Sequence, residues 1–313
     1  MTPRLSIVTS MFKSSSTLKE FCVRSAAAAA QLTPDFEIVL VNDGSPDDSL
    51  ALALEARDRE PRIRVIDLSR NFGHHKALMT GLAHARGELV FLIDCDLEEE
   101  PEWLARFHDV LTRSGADVAY GVQDTRKGNW FERVTGKLFF GVFNRLLVQP
   151  IPENIITVRL MTRRYVRALV GHEDREVCLA GLWVLTGFDQ RPVVVHKHSR
   201  AESSYTIRRR ISVLVDAITS FSNRPLVYIF QIGVAVMLLS IAAGVLLIEQ
   251  SLSGHVGVPG WASIMVSIWF LGGLTIFCVG IIGVYLAKVF TETKRRPYTV
   301  VRAEYGSEPD ERP

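Results

Sequence analysis

The sequence predicts an α/β fold, a mostly parallel sheet flanked by helices, followed by two C-terminal transmembrane helices. Three observations predict it. Apolar runs of strand length alternate with helical segments over residues 5–120, the pattern of a parallel sheet covered on both faces. Polar, turn-forming motifs follow the second and fourth apolar runs, where ligands of such sheets bind. Two long uncharged stretches lie near the C-terminus.

In chain order, Leu5–Val8 is the opening apolar run, and Ser14–Gln31 reads as a helix, favoured by the alanine tract Ala26–Ala30. Glu37–Val41 reads as a buried strand. Asp47–Arg59 is a helix whose first turn carries Asp47 and Asp48, where the helix dipole favours them. Arg64–Leu68 is a third strand, and His75–Ala85 a helix stopped by Gly87. Leu89–Ile93 is a strongly apolar fourth strand, Glu102–Thr112 a further helix and Val118–Tyr120 a further strand.

The uncharged stretches are Pro225–Ile248 and Val256–Ala287. Each supplies the about 20 apolar residues that cross a hydrocarbon core. Arg208–Arg210 and Arg224 precede the first, and Lys288, Lys294, Arg295 and Arg296 follow the second. The link between them carries no Lys or Arg. The positive-inside rule then puts both outer flanks in the cytoplasm. Ile207–Phe221 has apolar residues at helical spacing beside the arginine cluster, which suits an interfacial helix among lipid phosphates. A connecting helix packed on the domain is the alternative. Hydrophobic residues make up 48% of the 313 residues, and the mean hydropathy is +0.16. A formal net charge of +2 gives no global nucleic-acid surface. Four dispersed cysteines, with no CxxC pair, argue against a zinc site or a disulfide scaffold. Residues 1–13 are too few and too polar for a signal peptide.

Two motifs carry chemistry. Asp94-Cys95-Asp96 places two carboxylates two residues apart at a strand end, where they would share a face. Such oxygens hold Mg²⁺ or Mn²⁺ together with substrate phosphates, and the ion offsets charge on a departing diphosphate. Glu98, Glu99 and Glu100 follow as possible further ligands. An acidic loop is the plainer account of this spacing alone. Asn42-Asp43-Gly44-Ser45 reads as an Asx turn, or as a loop in which Asp43 accepts hydrogen bonds from a base or ribose. No GxGxxG or P-loop is present.

Together these pieces resemble the family 2 glycosyltransferases of the GT-A fold, in particular the polyprenyl-phosphate glycosyltransferases that include dolichyl-phosphate mannose synthases and bacterial undecaprenyl-phosphate glucosyltransferases. The matching residues are Val41–Ser45 with Asp47, Leu68–Gly73, Gly81-Leu82 with His84–Gly87, and Ile93–Leu97 with Pro101-Glu102. They continue with Tyr120–Val122, Arg159–Met161 with Arg163, Ser220–Ser222 with Pro225-Leu226, and Arg296–Val301 as a closing strand. The resemblance implies a cytoplasmic catalytic domain over 1–206, a juxtamembrane helix over 207–224, two spans over 225–290 and a C-terminal strand and tail over 291–313. It implies transfer of a sugar, with inversion, from a nucleotide diphosphate donor (UDP by family habit) to a polyprenyl phosphate at a bacterial inner membrane. A homo-oligomer is the expected assembly. Donor contacts would come from Thr9, Asp43, Gly44, Asn71, Lys76, Asp94 and Cys95. The metal would be held by Asp94, Asp96 and Glu98. Asp96, Arg126, Arg159 and Arg163 would serve at the reacting phosphates, since guanidinium groups suit bidentate phosphate binding.

The chain departs from the family in places. Thr9–Ser14 stands where relatives carry Pro-x-Tyr-Asn-Glu, and Ile156-Thr157-Val158 where they carry Gly-Asp-Phe, so an acid is missing. Ala201–Tyr205 lacks the usual Gly and Lys, Gln123 replaces an Arg, and Lys76 is an added cation. Two alternatives follow: an inactive membrane partner that binds nucleotide sugars, or a transferase using another membrane glycolipid. A hydroxyl acceptor would need a base, and Glu153, Glu173 and Glu176 are the candidates. A phosphate acceptor, whose second pKa lies near 6, needs none.

Overall fold

A computed structural model of the chain describes residues 3–123, 154–196, 224–252 and 261–306. It divides into two compact units, one holding every strand and the other holding the two long C-terminal helices.

The first unit is an eight-stranded sheet. Its strands are β1 (Leu5–Met11), β2 (Phe36–Asn42), β3 (Ile63–Leu68), β4 (Leu89–Leu92), β5 (Val118–Gln123), β6 (Ile155–Thr162), β7 (Gln190–Val195) and β8 (Val301–Tyr305), in the spatial order β7-β5-β6-β4-β1-β2-β3-β8. Strands β3, β2, β1 and β4 run parallel, whereas β6 is antiparallel to β4 and β5, and β8 is antiparallel to β3. The sheet is thus mostly parallel at its centre, as the alternation of elements predicts. Every residue of β1, β2 and β3 is buried, because helices cover both faces. Leu5, Ile7 and Met11 face a core shared with α1 (Leu18–Leu32) and α4 (Trp103–Ser114). On the opposite face Val8 meets α3 (His74–His84). There a Cβ on Gly81 would stand 2.6 Å from Val8 and 2.9 Å from Val41, so glycine is what lets α3 approach. Helix α2 (Ser49–Arg59) packs beside α1 and β3. Helices α5 (Arg163–Val170) and α6 (Leu179–Leu185) follow β6.

Strands β1 to β5 fall where the apolar runs place them. Helix α1 begins four residues later than the periodicity indicates, because the Ser14 carbonyl accepts the N–H groups of Thr17 and Leu18 in a preceding turn. The closing strand begins at Val301, the last residue of the expected Arg296–Val301 segment. At the amino ends of the strands, Glu37 on β2 accepts from Ser6 Oγ (2.6 Å), Arg64 Nη1 (2.8 Å) and Arg86 N (2.6 Å) in a buried polar cluster.

The second unit contains α7 (Arg224–Leu252, 29 residues) and α8 (Trp261–Thr293, 33 residues), which pack against each other. Among the described residues one segment, Ser267–Thr293, is long and apolar enough to cross a membrane, and Pro225–Val236 is a shorter apolar helix. The expected helix over residues 207–224 lies outside the described residues, save Arg224.

Candidate active site

The site forms where β1, β2 and β4 end. In register, Met11 pairs with Asn42 and Val8 with Leu92, so the three following loops leave the sheet side by side. Asn42 is buried. Its amide donates to Asp67 Oδ1 (2.7 Å) and its carbonyl accepts from Ser45 N (3.2 Å). Asp43 is also buried and accepts from Phe72 N (2.7 Å) and Gly73 N (3.0 Å). Burial raises the Asp43 carboxyl above its ordinary pKa, against those two bonds and the neighbouring His74 and Arg70. Asp43 therefore clamps the loop that carries Asn71. Gly44 makes this possible: its φ is +61°, and a Cβ there would meet Arg70 C and Asn71 N at 2.5 Å. Asn71 is exposed above the clamp, and Lys76 lies partly exposed in the first turn of α3.

A second knot ties the β1 loop down. Asp47 accepts from Ser45 Oγ (2.5 Å), Ser49 Oγ (2.6 Å) and Ser15 N (3.1 Å). Desolvation works against ionisation there, but the serine hydrogen bonds outweigh it and hold Asp47 well below the carboxylate range. Lys13 N and Ser14 N donate to Ser45 Oγ (2.7 Å) and Ser49 Oγ (3.0 Å). The serine-rich sequence that departs from the family pattern is thus held by the β2 loop.

The third loop carries the paired carboxylates. Asp94 is mostly buried, and its Oδ1 accepts no hydrogen bond, with His74 Nε2 standing 3.3 Å away. Asp96 is exposed and accepts from Glu98 N (2.9 Å), and Leu97 between them turns at φ +60°. The Cys95 thiol donates to Ser10 O (3.1 Å) and Ser14 Oγ (3.3 Å), and burial pushes its pKa up to about 11. Cys95 therefore joins two loops as a protonated thiol. Glu99 is wholly buried and accepts from Asp94 N (3.3 Å) and Val158 N (3.4 Å). An orphaned Asp94 oxygen, two residues from the exposed Asp96 carboxylate, fits a hard divalent cation completed by substrate phosphates. Among the described residues no group of three or more His, Cys, Asp or Glu side chains is placed to hold a metal ion by itself.

Several expected contributors lie elsewhere. Thr9 is wholly buried, with its hydroxyl turned to Ser10 O (3.4 Å), and presents no atom to a donor. Arg159, paired with Leu92 on β6, is also buried. Its guanidinium donates to Thr157 O (3.2 Å) and Ile156 O (3.3 Å) and lies 3.0 Å over the Trp183 ring, and burial brings its pKa down to about 9. It braces the strand behind Asp94 instead of offering a free fork to phosphate. Arg163 follows Thr162, which pairs with Leu89 at the amino end of β4, and it donates to Ala85 O. The antiparallel run of β6 thereby carries Arg163 to the end of the sheet opposite Asp94. Arg126 lies outside the described residues. The sequence reading passed over Ser10, His74 as a neighbour of Asp94, and the inward turn of Glu99. Ser10 lies beyond the apolar run Leu5–Val8 and follows another polar residue, Thr9, so nothing in the sequence marks it as part of the strand.

A family model described as glycosyl transferase family 2 matches residues 6–170. A Mycobacterium tuberculosis relative, whose designation goes no further than glycosyltransferase, is 52% identical over 97% of this chain and 89% of its own length. An undecaprenyl-phosphate 4-deoxy-4-formamido-L-arabinose transferase of Edwardsiella ictaluri is 28% identical over 98% of this chain and 96% of its own length. A prophage-derived bactoprenol glucosyl transferase of Shigella flexneri is 29% identical over 98% of this chain and all of its own.

Proposed function

The chain belongs to glycosyltransferase family 2, and on that premise we propose that it transfers a sugar, with inversion, from a nucleoside diphosphate sugar, with UDP as the nucleotide, to a polyprenyl phosphate at the cytoplasmic face of a membrane. The observation that carries this reading is the Asp94–Asp96 pair at the end of β4, beside the Asp43-clamped loop. Relatives named for undecaprenyl phosphate and bactoprenol support the acceptor. Two spans, formed by α7 and α8, fit the charged flanks of the sequence. Exposed Trp269, Phe270, Ile276 and Phe277 on α8 give it an apolar surface suited to lipid.

Asp94, Asp96 and Glu98 would hold Mg²⁺ or Mn²⁺. When bound, the ion stabilises the negative charge of a leaving diphosphate. The chain's own part is positioning. Asp43 and Gly44 set the Arg70–Gly73 loop, where Asn71 and Lys76 border the donor. Cys95 and the serines fix the β1 loop against the β4 loop. Thr157, standing where an acid is usual, offers no base, and a phosphate acceptor requires none because it is already anionic at neutral pH. Its oxygen attacks the anomeric carbon as the bond from that carbon to the diphosphate oxygen breaks. The diphosphate leaves with the bonding pair, and no proton moves. Positioning and charge compensation are then the whole of catalysis.

The test is purified protein in detergent with undecaprenyl phosphate and a panel of labelled nucleotide sugars. One labelled lipid product with inverted configuration is expected. Asp96→Ala should lose product formation while retaining its fold, and substantial turnover by that variant in metal-free buffer would refute the reading.

A further inference from the structure

His74 stands against Asp94, and neither the motifs nor the family resemblance gives it a part. It begins α3, directly after Gly73, whose φ is +102°. That turn, held by the Asp43 bond to Gly73 N, stands the imidazole over the ends of β1 and β4. Its Nδ1 lies 2.9 Å from Ser10 Oγ, and its Nε2 lies 3.3 Å from Asp94 Oδ1. Ser10 is buried, Asp94 is 18% exposed at its side chain and His74 is 47% exposed, so the ring connects the interior to the open side of the site.

We propose that His74 is a nitrogen ligand of the divalent ion that accompanies the donor, adjacent to Asp94 in the coordination sphere, with Ser10 fixing its tautomer. The inference rests on the donor-and-metal reading above and adds a residue to it.

The geometry carries the argument. Adjacent ligands of an octahedral ion at about 2.1 Å stand about 3 Å apart, close to the 3.3 Å between Nε2 and Oδ1. The two atoms are within ion-pair distance, yet Asp94 Oδ1 is buried and accepts no hydrogen bond. Metal-bound histidines donate their other ring N–H to a fixed partner, which sets the tautomer and the ring plane. Ser10 Oγ occupies that place. With the proton on Nδ1, Nε2 and Asp94 Oδ1 are both acceptors, and a cation bound by both would satisfy them. The neighbouring imidazole of His75 stands 5.8 Å away between ring centroids, with its Nδ1 at 3.3 Å from Val177 O, so it does not enter this pair. Asp43, Gly73 and Cys95 hold the loops that bear the two ligands, which makes the pair preorganised.

An imidazole ligand shifts preference toward Mn²⁺, because Mg²⁺ favours oxygen donors. The test is pulsed electron paramagnetic resonance of the full-length protein in detergent with UDP and Mn²⁺. Wild type should show nitrogen coupling to bound Mn²⁺ beside the phosphorus coupling of UDP. His74→Ala should lose the nitrogen coupling, bind Mn²⁺ roughly tenfold or more weakly, and lose less affinity for Mg²⁺. Ser10→Ala should keep the nitrogen signal but weaken Mn²⁺ by about tenfold, the usual cost of losing such a partner. Thermal melting of each variant without metal checks the fold. Phosphorus coupling without nitrogen coupling in wild type overturns the inference and leaves the donor reading standing, as does nitrogen coupling that persists in His74→Ala. Absence of any Mn²⁺ binding in the presence of UDP overturns both.

Discussion

Replacing Gly44 by alanine isolates the device that brings the second and third loops together. The substitution adds one methyl group at a backbone angle of +61°, with Arg70 C and Asn71 N each at 2.5 Å and Arg70 Cα at 3.0 Å. The left-handed conformation costs a residue with a Cβ about 1–2 kcal/mol. The contacts are with backbone, so no side chain can rotate away. Relief to an ordinary separation of about 3.4 Å requires the loop to retreat by about 1 Å. Retreat stretches the bonds from Phe72 N and Gly73 N to Asp43, now 2.7 and 3.0 Å, and leaves a buried carboxylate poorly satisfied. Overpacking of this kind costs about 1–3 kcal/mol. The two contributions together give about 2–5 kcal/mol. Urea denaturation of the detergent-solubilised protein should show that loss, and isothermal titration with UDP should show weaker binding because Asn71 is displaced. An alanine variant with wild-type stability and wild-type UDP affinity would refute the account of Gly44 as the point of close approach.

Two further substitutions probe the frame around the site. Asp47→Asn removes the charge that gathers Ser45, Ser49 and Ser15, and should cost about 2 kcal/mol at pH 7, the scale of a hydrogen bond to a charged group. The folded pKa lies below the unfolded value, so this stability is present above about pH 4 and is lost as the pH falls further. Denaturation curves of wild type and variant should therefore converge on acidification, and a constant gap would count against the assignment. Glu37→Ala removes the buried carboxylate that Arg64, Ser6 and Arg86 N share at the amino ends of the strands and should cost about 3–5 kcal/mol. Donor KM should stay near wild type in the folded fraction, and Glu37→Gln, which keeps an acceptor for Ser6 and Arg86 N, should lose less than Glu37→Ala.

Much of the first unit was legible because its strands are buried on both faces. Val41 and Ile93 close apolar runs, and the polar residues after each can only be loop, which located Asp43 and Asp94 correctly. The later strands gave no such signal. The sequence of β6 holds Thr157 and Arg159 among its apolar residues, and β7 holds Arg191 and Pro192. An arginine in a strand reads as a surface cation until its partner is known. Here that partner is Trp183, distant in sequence and brought under the guanidinium by α6. Arg163 misleads for a different reason: its sense depends on the direction of β6, and antiparallel pairing reverses which end of the sheet it reaches. Glu98 and Glu99 are adjacent in an acidic run, and only the left-handed turn at Leu97 and the buried hydrogen bonds of Glu99 distinguish them.

The return of the chain after its apolar helices gives the site its last constraint. β7 lies at one edge of the sheet and β8 at the other, so the segment containing α7 and α8 is an insertion between two strands of one sheet, not a detachable tail. The returning strand is fastened to the donor side. Val300 O accepts from Ser69 N (2.9 Å), and Arg302 donates to Ser69 O (2.6 Å) and lies 3.4 Å from Asp67 Oδ2. Thr299 meets Thr80 on α3 at 2.7 Å. Asp67 also receives the Asn42 amide, and Ser69 opens the loop that Asp43 clamps. The same few residues therefore close the sheet edge and support the loop that Asp43 clamps. An anchor appended beyond a finished domain would need no such fastening. The fastening is selective: the segment that follows α8 is tied through Ser69, Asp67 and Thr80 to the elements that set the Asp43-clamped loop, so a change in β8 should be felt at that loop as well as at the sheet edge.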